Sequence, residues 1–560
     1  MKPTRGLSVL MATGALTVVA ALLAPGVTTA GFTDSTFART SLSTAAATDT
    51  QHVASDLSAA SSLALSAAGE LYVSGYRGTG DGNGNRNVPA TADPTRVEFP
   101  DGVRIVDAGG STNDYHAEAP ETTAFMALDS NGGVWTWGTP WGGAGLIGRG
   151  KISTAEAARA GQVTRTASGE ALPPIVAMAR SENQFFGLDE GGTMWAWGYG
   201  GENLPFSGGP VSQPLPVPVT TTGVKMGNVA CDGKGLLREK GAEVSWHSIW
   251  SSSNGASAVA RNGLVYSWGF TSSTGTPGSL AAITVCPTLN EGANRALFER
   301  YPDQYRTAQG ETYDPTRLTT EKARSERYRA IVSDMEPKVL SACDGSRATG
   351  QVDESACPVR QLGVDTYLYR LLTQDGELLT WTAGNNAVRG DKLLGRAQNA
   401  TQTRGVPAPV SGGLRIDRVV AGVSSFAAIT EDGAVYGWGA NNACQALGKP
   451  SSGGYSCAKP AAADTNIETA PTPIAGLPSD GARPAAIASA ACSTWVKYDD
   501  GTTYAWGGGT IAANFFDKCY VPLLNKASVG YKIFITDRAT AEHRFGLPIT
   551  APATSTTRVR

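Results

Sequence analysis

Charge is sparse in this chain. Asp, Glu, Lys and Arg make up 17% of its 560 residues, below the quarter or so usual in globular proteins. The net charge is -3, and the basic residues are scattered rather than gathered into a stripe. Such a surface offers no electrostatic footprint for nucleic acid or for an anionic membrane. Histidine is scarcer still. His52, His116, His247 and His543 are the full complement, far apart and without metal-ligand spacing. No G-x-S-x-G, H-E-x-x-H or phosphate-binding loop occurs, and no C-x-x-C or C-x-x-H pair suggests zinc. Neighbouring acids such as Asp499 and Asp500 sit at turn positions, where Asp is favoured for backbone reasons. No catalytic residue and no cofactor is expected.

Long apolar runs are missing too, with one exception. Lys2 and Arg5 precede an uncharged apolar run at 7–23, and the small residues Val27, Thr28, Thr29 and Ala30 follow. That order is the signature of a secretory signal peptide. It predicts a signal peptide over 1–30 and a secreted or cell-surface protein, with an uncleaved anchor as the other reading. Nothing else approaches the roughly 20 apolar residues of a membrane span. Residues 31–50, rich in Ser, Thr and Ala, read as a flexible leader.

Cysteine supports the same compartment. The eight cysteines are Cys231, Cys286, Cys343, Cys357, Cys444, Cys457, Cys492 and Cys519. An even set outside the cytosol usually pairs. Cys343 with Cys357, and Cys444 with Cys457, would each close a short loop. Cys231 with Cys286 and Cys492 with Cys519 would use the remainder, although spacing alone leaves the connectivity open.

What the chain has in quantity is glycine, 68 residues, much of it in a recurring phrase. GVWTWG at 133–138 returns as GTMWAWG at 192–198, GLVYSWG at 263–269, GAVYGWG at 433–439 and GTTYAWG at 501–507. Weaker copies are GELYVSG at 69–75 and GELLTWT at 376–382. Aligned on Tyr72, Trp135, Trp195, Tyr266, Leu379, Tyr436 and Tyr504, they lie 63, 60, 71, 113, 57 and 68 positions apart. A period near 60 residues signals a repeat architecture.

Each unit runs in the same order. An apolar strand ending in small residues comes first, then a second apolar run. An Asn-Gly, Glu-Gly or Asp-Gly pair follows, such as Asn131-Gly132 or Asp432-Gly433, read as a two-residue turn with both positions at positive φ. The aromatic strand returns, and a Gly-rich loop and a Pro-punctuated strand finish the unit. Residues two apart in a strand share a face. Trp135 and Trp137 thus project together, while Val134 and Thr136 face the other way, and neither set is strongly polar. Both faces of each sheet are therefore covered, which predicts indoles packed between adjacent blades. Four strands in each of seven units predict an all-β, seven-bladed β-propeller over 51–530. The apolar stretch 531–536 lies beyond the seventh unit; the segment 531–560 is expected to help close the ring and then continue as a disordered tail.

The spacing of 113 betrays an insertion of about 50 residues at about 287–345, between the fourth and fifth repeats. Residues 293–305 and 318–340 have helical character, and Leu318, Tyr328, Ile331, Met335 and Val339 form an amphipathic stripe. The stripe fits a flap resting on the propeller, or else an arm that binds a partner.

VYGWGANN at 435–442, followed by Leu447-Gly448, resembles the repeat of the regulator of chromosome condensation family. Trp381 with Asn385, Leu394 and Gly395 matches in part, as does Trp137-Gly138 with Leu146, Ile147 and Gly148. Cys444 stands where the repeat has its first loop glycine. The resemblance implies a seven-bladed propeller that binds proteins through rim loops and faces. The namesake promotes nucleotide exchange on a nuclear small GTPase, an activity that does not transfer to an exported chain. Propeller-type β-lactamase inhibitory proteins, exported and built on similar repeats, are the nearer functional analogue. The expectation is a monomeric protein-interaction module that recognises a protein partner. The alternatives are an inhibitor of a secreted or periplasmic enzyme, and a carbohydrate-active or lyase-type enzyme with a site at the channel mouth. Tyr76, Trp141, Tyr199, Phe206 and Phe270, in or beside the loops after the repeated phrase, are the binding candidates. Asp81, Asn83 and Asn85 are a weak calcium candidate; their loop lacks the late Glu of a calcium-binding loop.

Overall fold

The computed structural model describes residues 50–55, 61–66, 69–75, 81–85, 95–111, 124–139, 143–180, 184–198, 213–219, 224–226, 229–231, 244–251, 255–269, 287–334, 343, 357–365, 368–382, 392–396, 406–421, 425–441, 444–447, 466–477, 481–490, 493–499, 503–507, 549–552 and 557–559. These are mostly β. Among them, seven antiparallel sheets of four or more strands follow one another along the chain, each with its first three strands joined in sequence order. The repeated phrase is the third strand every time, for example Val134–Gly138 and Met194–Gly198. The first strands, Thr50–Ser55, Ile105–Ser111, Ile175–Arg180, Trp246–Ser251, Val359–Asp365, Ile416–Ala421 and Pro484–Ala490, lie at the edges that face one another. First strands of the first and second, third and fourth, fourth and fifth, and sixth and seventh sheets are in contact, and the first strand of the first sheet lies beside that of the seventh.

The indoles do what their spacing predicts. Trp137, Trp197, Trp381, Trp438 and Trp506 are fully buried. Each of the first four stacks on the ring directly across its hairpin, Phe125, Phe185, Tyr369 or Phe426, at 5.1 to 5.8 Å. Trp135 and Trp137 pack with Leu71, Val73 and Val97 of the preceding sheet. Val134, on the opposite face, packs with Ile175, Met178 and Trp197 of the next. Every blade is thus a slice of core between two neighbours, and the large aromatic surfaces supply much of its burial energy.

The Leu-Gly or Ile-Gly pair after the aromatic strand has a physical explanation. A Cβ on Gly148 would lie 2.6 Å from Trp197 Nε1, and one on Gly395 would lie 2.9 Å from Trp438 Nε1. Both glycines have positive φ, 89° and 72°. The loop of one sheet therefore closes against the indole of the next, and only glycine fits. Gly148→Ala is expected to cost about 2–4 kcal/mol through strain and clash together. A denaturation midpoint equal to that of the parent protein would refute this assignment.

The turns depart from the sequence expectation. The paired strands end at Leu128 and Val134, so the connection is 129–133 rather than a two-residue turn. Gly132 alone has positive φ; Asn131 does not. The reason is Asp129, whose Oδ1 accepts from the N–H groups of Asn131 and Gly133 at 2.8 and 2.9 Å. Its Oδ2 accepts from Trp135 Nε1 at 2.8 Å. Asp189 repeats the arrangement with Thr193 and Trp195. In the fifth and sixth sheets Thr373 and Thr430 take the place of the Asp and bond the same loop backbone. There the aromatic position holds Leu379 or Tyr436, with no indole N–H to satisfy.

The insertion is helical, as expected, with α1 at Glu291–Arg300 and α2 at Glu321–Asp334. Leu318 precedes α2 rather than belonging to it, because Thr320 accepts from Ala323 N as the N-terminal cap. Tyr328, Ile331 and Val332 of α2 are buried in one core cluster with Ala293, Leu297 and Phe298 of α1 and with Tyr266, Leu362 and Tyr369 of the sheets. Tyr328 and Ile331 of the expected stripe thus seat α2 on the blades, with Leu318 packed beside them; Met335 and Val339 lie outside the described residues. Cys343 and Cys357 form a disulfide that closes the segment leading to the fifth sheet. Cys444 is also disulfide-bonded; Cys286, Cys457, Cys492, Cys519 and the side chain of Cys231 fall outside the described residues.

The expected leader segments before residue 50 and the stretch 531–536 also fall outside them. Thr557–Val559 and Ile549–Pro552 pair in turn beyond the third strand of the seventh sheet. No described helix is long and apolar enough to cross a membrane.

Candidate functional site

Antiparallel order sorts the connections into two faces. Turns between second and third strands share one face with the links from each fourth strand to the next first strand. The third strands end on the opposite face, where the Gly-rich loops begin.

The turn face is fastened by main-chain atoms. The carbonyls of the turn glycines Gly69, Gly132, Gly192 and Gly376 accept from the N–H groups of Ile105, Ile175, Trp246 and Ile416, the opening residues of the following first strands, at 2.7 to 3.1 Å. A Cβ on Gly132 would meet Ile175 N at 2.9 Å. The Asn-Gly glycine is therefore needed twice, for its own φ of 82° and for the approach of the next blade. At the fourth boundary the partner changes. Gly263 O accepts from Tyr305 Oη of the insertion at 2.9 Å. Burial raises the Tyr305 pKa above its ordinary value, so the hydroxyl keeps its proton and serves as the donor.

The insertion is fixed to the fifth sheet by charge. Asp375, in the turn after the second strand, forms an ion pair with Arg300. It also accepts from Tyr301 Oη at 2.8 Å and Thr373 Oγ1 at 2.6 Å, and Arg415 lies 3.4 Å away. Arg300 reaches Glu377 at 3.0 Å as well. Partial burial works to raise the Asp375 pKa, but the bonds from Arg300, Thr373 and Tyr301 outweigh it and hold the carboxyl well below the usual range. A depressed folded-state pKa adds stability that is present above the unfolded value near 4 and is lost as pH falls below it. Its side chain is 39% exposed, so screening keeps the contribution on the order of 1 kcal/mol. Asp375→Asn is expected to flatten the stability profile between about pH 4 and pH 2 by that amount. An unchanged acid limb would contradict it.

The loop face is shaped by buried polar side chains. Asn441, fully buried, accepts from the N–H groups of Ala446 and Leu447 at 3.2 and 3.0 Å. Cys444 has φ 61°, the sole described non-glycine residue with positive φ. It occupies a glycine site of the repeat and adopts glycine's conformation. In the first sheet's loop, Asp81 Oδ1 accepts from Asn83 N and Asn85 N at 2.8 and 3.1 Å. Asn83 Oδ1 accepts from Glu98 N at 2.7 Å, and Asn83 Nδ2 donates to Arg96 O at 2.8 Å. These groups organise the loop. No group of three His, Cys, Asp or Glu able to hold a metal occurs among the described residues.

The five aromatic candidates, Tyr76, Trp141, Tyr199, Phe206 and Phe270, all lie outside the described residues. What the structure places is the end of each preceding strand, at Gly75, Gly138, Gly198 and Gly269, and these four ends share the loop face. Sequence reasoning missed Asp129, Asp189 and Tyr305. The first two left a readable signal, an Asp six positions before each motif Trp.

No protein-family model and no curated protein matches the sequence. Solved structures do. Prp20p from Saccharomyces cerevisiae, described with its binding properties to Gsp1p and histones, is 15% identical, with 88% of this chain and 92% of that one covered at a TM-score of 0.47. The same yeast RCC1 protein bound to Kap60 gives 16%, 79%, 78% and 0.46. Human WBSCR16 gives 13%, 80%, 86% and 0.46. That likeness concerns the fold, which the RCC1-like repeats had already suggested from the residues alone.

Proposed function

We propose that this RCC1-like propeller is exported and serves as a protein-interaction module, with its partner held on the loop face. One observation carries the reading. The turns at Gly263 and Asp375 are covered by the helical insertion, whereas the third strands deliver their following segments to the opposite face. Those segments hold the aromatic candidates, and rigid aromatic side chains on a fixed scaffold suit a binding surface. The indoles of the repeats are spent on packing between sheets and are not available for a ligand. Export accords with the Cys343–Cys357 disulfide and the bonded Cys444.

The test uses residues 31–560 as bait in culture supernatant, with crosslinking to recover the partner. Tyr76, Trp141, Tyr199, Phe206 and Phe270 are then replaced together by alanine. The expected result is a loss of affinity of roughly tenfold or more at an unchanged melting temperature. Full affinity in that variant overturns the assignment of the face.

A further inference from the structure

Every first strand carries one extra residue at the same place. Pairing with the second strand slips between Thr50 and His52, Ile105 and Asp107, Ile175 and Ala177, Trp246 and Ser248, Val359 and Gln361, Ile416 and Arg418, and Pro484 and Ala486. The extra residues are Gln51, Val106, Val176, His247, Arg360, Asp417 and Ala485, one per sheet. A β-bulge re-aims a side chain out of the ladder. All seven bulges lie at the start of the first strands, on the turn face.

The set is lopsided. Val106, Val176 and Ala485 are small or apolar, while His247, Arg360 and Asp417 occupy the consecutive fourth, fifth and sixth sheets. Arg360 Nη2 donates to Asp417 Oδ1 across the sheet boundary. Arg418 Nε lies 3.3 Å from Asp417 Oδ2, and Arg418 Nη1 donates to Ala485 O of the seventh sheet. Two guanidinium groups thus share one carboxylate, which leaves one positive charge uncompensated within the trio. Arg360 has no other hydrogen-bond partner among the described residues, so most of its five N–H donors are unused. Arg418 Nη2 is likewise unused. Both side chains remain accessible, at 25% and 41% exposure. Asp417 holds the two forks in place, and Gln361 Nε2 donates to Val419 O at 2.9 Å to fix the same boundary.

We infer that Arg360 and Arg418 form a site on the turn face for a carboxylate, taken from an acidic side chain of a protein partner. Guanidinium groups match carboxylates by paired N–H···O bonds. Asp417 positions the two forks and tempers their charge. The site lies on the opposite face from the aromatic loops, so it can fail without that reading failing, and the reverse.

The experiment uses the full mature chain and a blocked five-residue peptide, Gly-Ser-Glu-Ser-Gly, with its Gln counterpart, glutarate and phosphate as comparisons. Binding is followed by NMR chemical-shift titration at constant ionic strength. The Glu peptide is expected to bind and the Gln peptide not. R360Q and R418Q should each weaken binding by roughly tenfold, R418K by less, and D417N should tighten it. Equal binding of the Glu and Gln peptides, or no binding of either, overturns the site. So does unchanged affinity in both R360Q and R418Q. Binding of phosphate or glutarate without the Glu peptide overturns the protein-borne source. R418K retains charge and length, and keeps the test valid if a glutamine variant fails to fold.

Discussion

Gly437→Thr is expected to destabilise the protein by more than about 4 kcal/mol, although threonine is what two sister sheets carry at the same place. In the second sheet Thr136 Oγ1 donates to Ile147 O at 2.7 Å. In the fifth, Thr380 Oγ1 donates to Leu394 O at 2.8 Å. Repeat logic would therefore call threonine an improvement. The sixth sheet forbids it. A Cβ on Gly437 would stand 1.9 Å from the carbonyl oxygen of Ala446, a main-chain atom that cannot swing aside. The buried Asn441 fixes the loop there by accepting from the N–H groups of Ala446 and Leu447. The carbonyl occupies the space where the other sheets keep a side chain. The reciprocal change, Thr136→Gly, removes one buried hydrogen bond and should cost about 1–3 kcal/mol. Chemical denaturation of both variants checks the pair. If Gly437→Thr unfolds at the parent midpoint, the Ala446 carbonyl does not fill that space.

Phe298→Ala should cost about 3–5 kcal/mol, and should lower the stability of the sheets as well as of the insertion. Phe298 is fully buried. Its ring lies 4.9 Å from Tyr305, 5.6 Å from Tyr328 and 6.3 Å from Tyr313. It joins α1, α2 and the tyrosine that takes over the fourth blade boundary. The cluster continues into Phe186, Tyr266 and Trp381 of three neighbouring sheets, so the helices share a core with the sheets. Unfolding followed by far-ultraviolet circular dichroism and by tryptophan fluorescence should shift together in the variant. A helical signal that melts first, with fluorescence unmoved, would show that the insertion is an independent appendage.

Much of this architecture could be read from the residues. The W-x-W-G phrase was informative because its residues face neighbouring sheets on both sides and tolerate little change. The insertion was visible as a gap of irregular length, and Tyr328 and Ile331 of its stripe are buried against the sheets. Other features had no local signal. The bulges add one residue to strands whose starts carry no turn chemistry. Tyr305 replaces a main-chain N–H with a hydroxyl, a substitution that depends on where the chain runs in space. Asn131-Gly132 was misjudged because Asp129 accepts the loop N–H groups and lengthens the turn. Nothing local to Gly437 signals the Ala446 carbonyl that stands against it.

The bonds from the turn-glycine carbonyls have a bearing on how such a chain diverges. Because both partners are peptide groups, the joint between neighbouring units survives nearly any exchange of side chains around it. Copies as degraded as GELLTWT can therefore keep their place, provided the glycine persists. Two described joints lack this bond: at Gly263 the Tyr305 hydroxyl stands in, and at Gly433 the next strand opens with Pro484, which has no N–H to offer, so the wheel is expected to part there first under a pulling force.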